Sequence, residues 1–250
     1  TAIVPVHCYG NPAKVKEIEE IAKRFDLKVI YDAAPAFDVN HKHTNENLLN
    51  SGDLSAISFH ATKVFNTFEG GAIVTKDASQ KDEIDKLRNF GFLNETTVEG
   101  TGINGKLSEV HAAFGILQLK YIRDSIAKRM IIDATYRMEL DGIEEISIYE
   151  YNSAYTPNYS YFPILISENA SCSRDDLYFH LKSRDINSRR YFYPLISEFP
   201  AYRNLESSNK SNLPIANLIS NNVICLPIYP ELTEKDVKYI AKVIRNFLRV

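Results

Sequence analysis

AIVPVHCYGNPAKVKEIEEIAKRFDLKVIYDAAPAF, residues 2–37, is the stretch that decides the fold. Ala2 to His7 is an apolar run that predicts a buried strand, interrupted by Pro5, which cannot donate to a ladder. Asn11-Pro12 predicts a helix start, with asparagine capping and proline at the first helical position. Val15, Ile18, Ile21, Ala22 and Phe25 then recur at helical spacing and predict one apolar face. Leu27 to Tyr31 is a second apolar strand. Strand, helix and strand within about thirty residues make a βαβ unit, which requires parallel strands.

Outward from this unit, Ser55–His60 and Gly71–Thr75 predict further strands, and Asp77–Phe90 a helix that is apolar at Ile84 and Leu87. The glycines of 91–105 predict a loop, and Leu107–Met130 one long helix with Val110, Ala113, Phe114, Leu117 and Tyr121 along a stripe. The tyrosine-rich stretch near 140–158 changes character and predicts irregular chain. Beyond it, Tyr159–Ile166 and Val223–Pro227 predict strands. Two helices follow capping patterns, Ser173-x-x-Asp176 before 173–183 and Thr233-x-x-Asp236 before 233–248. The fold class expected is α/β: a large domain over 1–135 with a mostly parallel sheet, then a small α/β domain over 136–250.

Composition narrows the function. A net charge of -3 with dispersed lysines and arginines gives no basic block for nucleic acid. No run is apolar for long enough to span a bilayer. The three cysteines are far apart and the histidines lack ligand spacing, which disfavours a disulfide framework or a metal site and suits thiols in a reducing cytoplasm.

In open α/β sheets, ligands bind at the carboxyl ends of the strands. Two segments place reactive groups there. In Tyr31-Asp32-Ala33-Ala34-Pro35, Asp32 follows an apolar strand, and small residues such as Ala34 leave room for something flat. Alone, an aspartate after a strand is more often a helix cap or turn former. In Ser58-Phe59-His60-Ala61-Thr62-Lys63, a lysine lies just past a buried strand, where loss of solvent would lower its pKa and free the amine as a nucleophile. Pyridoxal phosphate needs these three groups: a lysine for its aldehyde, a hydroxyl for its phosphate and a carboxylate at its ring nitrogen. Lys63, Ser58 and Asp32 supply them.

PVHCYGNP (5–12), YDAAPAF (31–37), GDLSAISFHATKVFNTFEGGAIV (52–74), GINGKLSEVHAAFGI (102–116) and LPIYPELT (226–233) resemble, in that order, the DegT–DnrJ–StrS family of nucleotide-sugar aminotransferases. These are fold-type-I pyridoxal-phosphate enzymes, and the resemblance runs from Thr1 to the C-terminus. It implies that Lys63 is the lysine that carries the cofactor and shuttles protons. It implies that Asp32 pairs with the ring nitrogen, that Ser58 donates to the phosphate, and that Asn104 reaches the phosphate of a neighbouring subunit, hence a homodimer with shared sites. The wording SFHATKVFNTFEGG is most similar to enzymes that aminate C4 of a dTDP-4-keto-6-deoxy sugar, with glutamate expected as donor.

Ser188-Arg189-Arg190-Tyr191-Phe192-Tyr193-Pro194 resembles the family's stretch near the substrate. Arg190 and Tyr193 are candidates there, arginine because guanidinium bonds phosphate oxygens bidentately, although a surface pair beside aromatic core fits the same residues. His60 is a third candidate beside the cofactor, or a packed histidine at a strand end.

Pro35 departs from the Gln or His of most relatives. By length, roughly the first third of a usual member is expected to be missing from these residues. Those two departures motivate an alternative, a truncated or fragmentary relative that binds no cofactor. Some relatives dehydrate sugars instead, but they replace the lysine with histidine, and Lys63 argues against that chemistry.

Overall fold

The structure, a computed structural model, describes residues 1–249. The strands are β1 (Ala2–Ile3), β2 (Lys28–Asp32), β3 (Asn40–His41), β4 (Leu54–Ser58), β5 (Gly71–Thr75), β6 (Ile146–Ile148), β7 (Tyr155–Thr156), β8 (Phe162–Ile166) and β9 (Val223–Leu226). The α-helices are α1 (Val15–Phe25), α2 (Ala78–Leu87), α3 (Glu109–Gln118), α4 (Ile122–Leu140), α5 (Arg174–Lys182), α6 (Pro214–Asn222) and α7 (Glu234–Leu248). The chain divides into two compact units, Thr1–Ile126 with Tyr151–Ser160, and Ala127–Glu150 with Tyr161–Val250. The boundary expected at 135/136 lies inside α4, whereas the units part after Ile126 and the segment 151–160 returns to the first of them.

The first unit carries a sheet of order β1-β2-β4-β5. β1 and β4 both run parallel to β2, as the βαβ reading requires, and β5 returns antiparallel to β4. The register sets Asp32 level with Ala56, and Ser58 level with Gly71. A Cβ at Gly71 would lie 2.7 Å from the Ile57 carbonyl oxygen, so only glycine lets β5 come this close beside Ser58. Ala22, Val29, Tyr31, Ala33, Ala36, Val39 and Leu48 form one core cluster of this unit. Val64, Phe65 and Ile122 form another.

In the second unit β6, β8 and β9 form an antiparallel sheet of order β6-β8-β9. A single cluster joins it to α4, α5 and α7: Tyr136, Phe162, Ile164, Leu177, Leu181, Ile224, Val237, Ile240 and Ile244 are among its members. Both expected capping boxes are present, Ser173 with Asp176 and Thr233 with Asp236.

Five expectations are corrected. The first strand stops at Ile3 and touches β2 again only at a Val6–Asp32 bridge, because Pro5 breaks the ladder. The helix after it starts at Val15 rather than Pro12: Asn11 Oδ1 accepts the Asn152 N–H at 3.0 Å, and the Ala13 N–H donates to His7 Nδ1 at 3.1 Å. Its apolar face is only partly inward, with Ala22 buried and Ile21 and Phe25 exposed. The single helix over 107–130 is two, α3 and α4, parted by a turn at Leu119–Tyr121 that no glycine or proline marks. The irregular stretch 140–158 includes β6 and β7, and β7 pairs with β3.

Candidate active site

The site is built at the carboxyl ends of β2 and β4. Asp32 closes β2, exposed. Its Oδ1 accepts the Ala34 N–H at 3.0 Å, an Asx turn that fixes the carboxylate over the small residues following it. Ser58 closes β4. Its Oγ accepts the His60 N–H at 3.2 Å, which leaves its own proton to donate outward. Asp32, Ala34, Ser58 and Gly70 line a depression of about 410 Å³, together with Val4, Ile30, Tyr31, Ala56 and Ile57.

Lys63 approaches from the loop after β4. The Lys63 N–H donates to the His60 carbonyl at 2.9 Å, and the next two residues, Val64 and Phe65, are buried. The Phe65 ring stacks on Phe37 at 4.4 Å between centroids and meets the edge of Phe59 at 5.0 Å. Phe37 belongs to the loop that follows Asp32, so one aromatic contact fastens the lysine loop to the carboxylate loop. Lys63 is half-buried, and burial holds its amine below the usual lysine range, with the charge of Asp32 acting in the opposite direction.

His7 has a place that the sequence reading did not give it. It is fully buried and stacked on Tyr31 at 4.4 Å, and its backbone N–H donates to the Asp32 carbonyl at 2.9 Å. Nδ1 accepts from Ala13, so Nε2 carries the proton, and it is buried with no acceptor among the described residues. Burial pushes this imidazole down to about 4, with the charge of Asp32 opposing the shift, so the ring beneath Asp32 is neutral at neutral pH. The signal available was the histidine of PVHCYG at the end of a strand parallel to the one that carries Asp32.

The other candidates do not line the depression. His60 is exposed: Nδ1 lies 2.8 Å from Thr62 Oγ1, and Nε2 is 3.6 Å from Glu69. Asn104 is exposed on the glycine loop, bridged to Asn89, and does not line the depression. Arg190 and Tyr193 belong to the second unit. There Arg190 is engaged, 3.1 Å from Asp175 and 4.3 Å above the Tyr178 ring, while the Tyr193 ring receives Arg174 at 4.6 Å. A larger cavity of about 680 Å³ opens in the first unit beside α1, lined in part by Asp26, Asn47 and Asp53. Asp26 and Asp53 precede β2 and β4, so this cavity borders the amino ends of the strands, opposite to where open sheets bind ligands. Among the described residues no helix is long and apolar enough to cross a membrane.

Known proteins resemble the chain in sequence and in fold. Over 244 residues the chain is 50% identical to a dTDP-4-amino-4,6-dideoxy-D-glucose transaminase of Escherichia coli, and over 245 residues 47% identical to one of Shigella dysenteriae. Each match takes in 98% of this chain and 66% of the relative, so the chain spans just under two thirds of their length. The solved structure of DesI in the presence of its TDP-sugar product superposes with a TM-score of 0.90 at 28% identity, covering 99% of this chain and 62% of that one. The sequence profile of the DegT/DnrJ/EryC1/StrS aminotransferase family matches residues 1–245. By sequence and by fold, the chain belongs to the DegT/DnrJ/EryC1/StrS aminotransferase family.

Proposed function

We propose that the whole protein is a pyridoxal-phosphate aminotransferase acting on a nucleotide-linked keto sugar, a dTDP-4-keto-6-deoxy sugar aminated at C4 with glutamate as donor. The observation that carries this reading is Lys63. It is a half-buried amine held below the usual lysine range, with Asp32 near enough to act on it, at the strand ends of an aminotransferase fold.

The residues fit the cofactor. The depression offers a carboxylate at Asp32, a hydroxyl with a free proton at Ser58, and the low profile of Ala34. The neutral, buried His7 beneath Asp32 places no second positive charge there to compete for the carboxylate. When bound, pyridoxal phosphate supplies an aldehyde that condenses with amines and a ring that takes up electrons from the neighbouring carbon. Lys63, with its lowered affinity for protons, would hold the cofactor through its amine and would carry a proton to or from the substrate carbon. The Asp32 carboxylate would pair with the ring nitrogen, and Ser58 would donate to the phosphate. Arg190, Tyr193 and His60 are assigned to the sugar nucleotide.

The same reading makes the protein a homodimer in the cytoplasm, with Asn104 reaching the phosphate held by the neighbouring copy. Its support is the apolar surface of the first unit: Val110, Ile116 and Leu117 on α3, and Ile103 next to Asn104, are all exposed.

The test is an absorbance spectrum with added pyridoxal phosphate, followed by borohydride reduction and peptide mapping. The expected result is a reduced adduct on Lys63. Absence of any adduct in the full-length protein overturns the reading. Incubation with dTDP-4-keto-6-deoxy sugar and glutamate then reads the substrate: a C4 amino sugar is expected, and a deoxygenated sugar would reassign the chemistry to dehydration.

A further inference from the structure

The loop 33–37 follows Asp32 and carries Ala34, yet only part of its hold comes from the sheet: the Ala33 N–H donates to the Ala56 carbonyl at 2.9 Å. Beyond that point the loop is gripped by residues more than a hundred positions away. Asn158, 1% exposed, gives both hydrogens of its side-chain amide, one to the Pro35 carbonyl at 2.8 Å and one to the Phe37 carbonyl at 2.8 Å. Its Oδ1 accepts the Ser160 N–H at 3.2 Å. Ser160 Oγ, also buried, lies 2.8 Å from the Pro35 carbonyl oxygen and 2.5 Å from Asn158 Oδ1. Tyr159 between them takes a left-handed backbone, φ 54°, which is costly for a tyrosine and persists where its surroundings impose it. Gly10 closes the third side with φ +84°. A Cβ there would sit 2.9 Å from both Asn158 Oδ1 and the Pro35 oxygen.

This cluster is buried, hydrogen-bonded and saturated, and it grips carbonyls only. That explains how proline occupies position 35: the grip uses its oxygen and asks for no N–H. Buried amides with every hydrogen bond made specify one arrangement, and losing one partner leaves carbonyls without donors in a dry place.

We propose that Asn158, assisted by Ser160, is a positioning residue for the cofactor site: it fixes the loop Ala33–Phe37 and, through the Ala34 N–H, the orientation of the Asp32 carboxylate. The proposal rests on the aminotransferase reading for its ligand, but the clamp itself is a property of the protein alone.

The test compares Asn158→Ala, Ser160→Ala, Ser160→Thr and a control, Asn47→Ala, in the full-length protein. Asn47 is a similar short-range clamp, donating to Asn40 Oδ1 at 3.0 Å and accepting from the Leu49 N–H at 3.0 Å, away from the depression. Two quantities are read: hydrogen exchange of the Ala34 and Ala36 amides without cofactor, and the dissociation constant of pyridoxal phosphate by absorbance. Asn158→Ala is expected to speed both exchanges and raise the dissociation constant, each by about tenfold or more. Ser160→Ala should do so less, and Ser160→Thr, which keeps the hydroxyl, least. Asn47→Ala should leave both unchanged, even where it lowers the unfolding midpoint. Should Asn158→Ala not fold, Ser160→Ala decides alone. Exchange and affinity within twofold of the parent in the clamp variants, or an equal loss of affinity in Asn47→Ala, overturns the proposal. If the parent protein takes up no cofactor, the aminotransferase reading falls, while the amide exchange still decides whether the clamp holds the loop.

Discussion

Two helices rich in apolar residues meet opposite fates. Along α7, Val237, Ile240, Ala241 and Ile244 all turn into the core of the second unit. Along α3, Val110 is 76% exposed and Leu117 48%, with Ile116 beside them at 65%. Apolar residues recurring along a helix therefore do not by themselves show that its own unit buries them. The second unit gathers residues of α4, α5 and α7 into one continuous cluster, while its Met138, Ile196 and Ile215 face outward. The first unit sets Phe37 and Phe65 between the two loops at the ends of its strands and leaves Val110, Ile116 and Leu117 of α3 facing outward.

The sharpest way to separate the two units is to remove the chemistry from one without touching the other. Lys63→Ala should cut aminotransferase turnover on the order of 10⁴-fold and leave the unfolding midpoint in place. Turnover at the parent rate would mean that Lys63 is not the reacting amine. The next largest effect belongs to the closed core. Tyr136 is fully buried, stacked on Phe162 at 4.7 Å, and its hydroxyl donates to the Pro227 carbonyl at 3.0 Å. Tyr136→Ala should cost about 4 kcal/mol in urea unfolding, and a cost below about 1 kcal/mol would contradict a tightly packed second unit.

Acid should find the first unit through His7. Its folded pKa, about 4, lies below the ordinary 6.5, so between those values the unfolded chain takes up a proton that the folded imidazole refuses. The stability is present above pH 6.5 and is lost as pH falls toward 4, by up to about 3 kcal/mol. Urea midpoints at pH 7 and pH 4.5 read it: His7→Gln should show a smaller drop than the parent, and equal drops would show that His7 is not held neutral. A subtler check on the second unit is Thr233→Ala, which removes the acceptor for the Asp236 N–H at 3.2 Å and should cost about 1 kcal/mol by thermal unfolding. Least visible to folding is Val110→Asp on α3. It should shift monomer stability by no more than about 0.5 kcal/mol yet favour monomers in sedimentation equilibrium. An unchanged oligomer would mean that this face is covered in some other way.

What the sequence disclosed and what it hid follow one physical line. The βαβ unit, the two capping boxes and the strand-end positions of Asp32, Ser58 and Lys63 are local: they depend on periodicity and on neighbours three or four residues away. α1 starts at Val15 rather than Pro12 because the oxygen of Asn11, a good cap by type, accepts the N–H of Asn152 instead. The break between α3 and α4 carries no glycine or proline to announce it. The roles of His7 and Asn158 are not local: a buried histidine and a buried asparagine look like surface residues until the chain brings their partners to them.

The return of residues 151–160 to the first unit has a consequence for how the protein is made. Asp32, Ser58 and Lys63 all leave the ribosome before Asn158 exists, and β3 must wait for β7 to pair with it. The first unit therefore cannot finish folding in the order of its synthesis. Its strands can dock early, but the loop beside Asp32 lacks its grip until β7, Asn158 and Ser160 have emerged. A nascent chain stalled short of residue 158 would display the lysine and the carboxylate without the grip on the loop between them, so the site ripens late in translation.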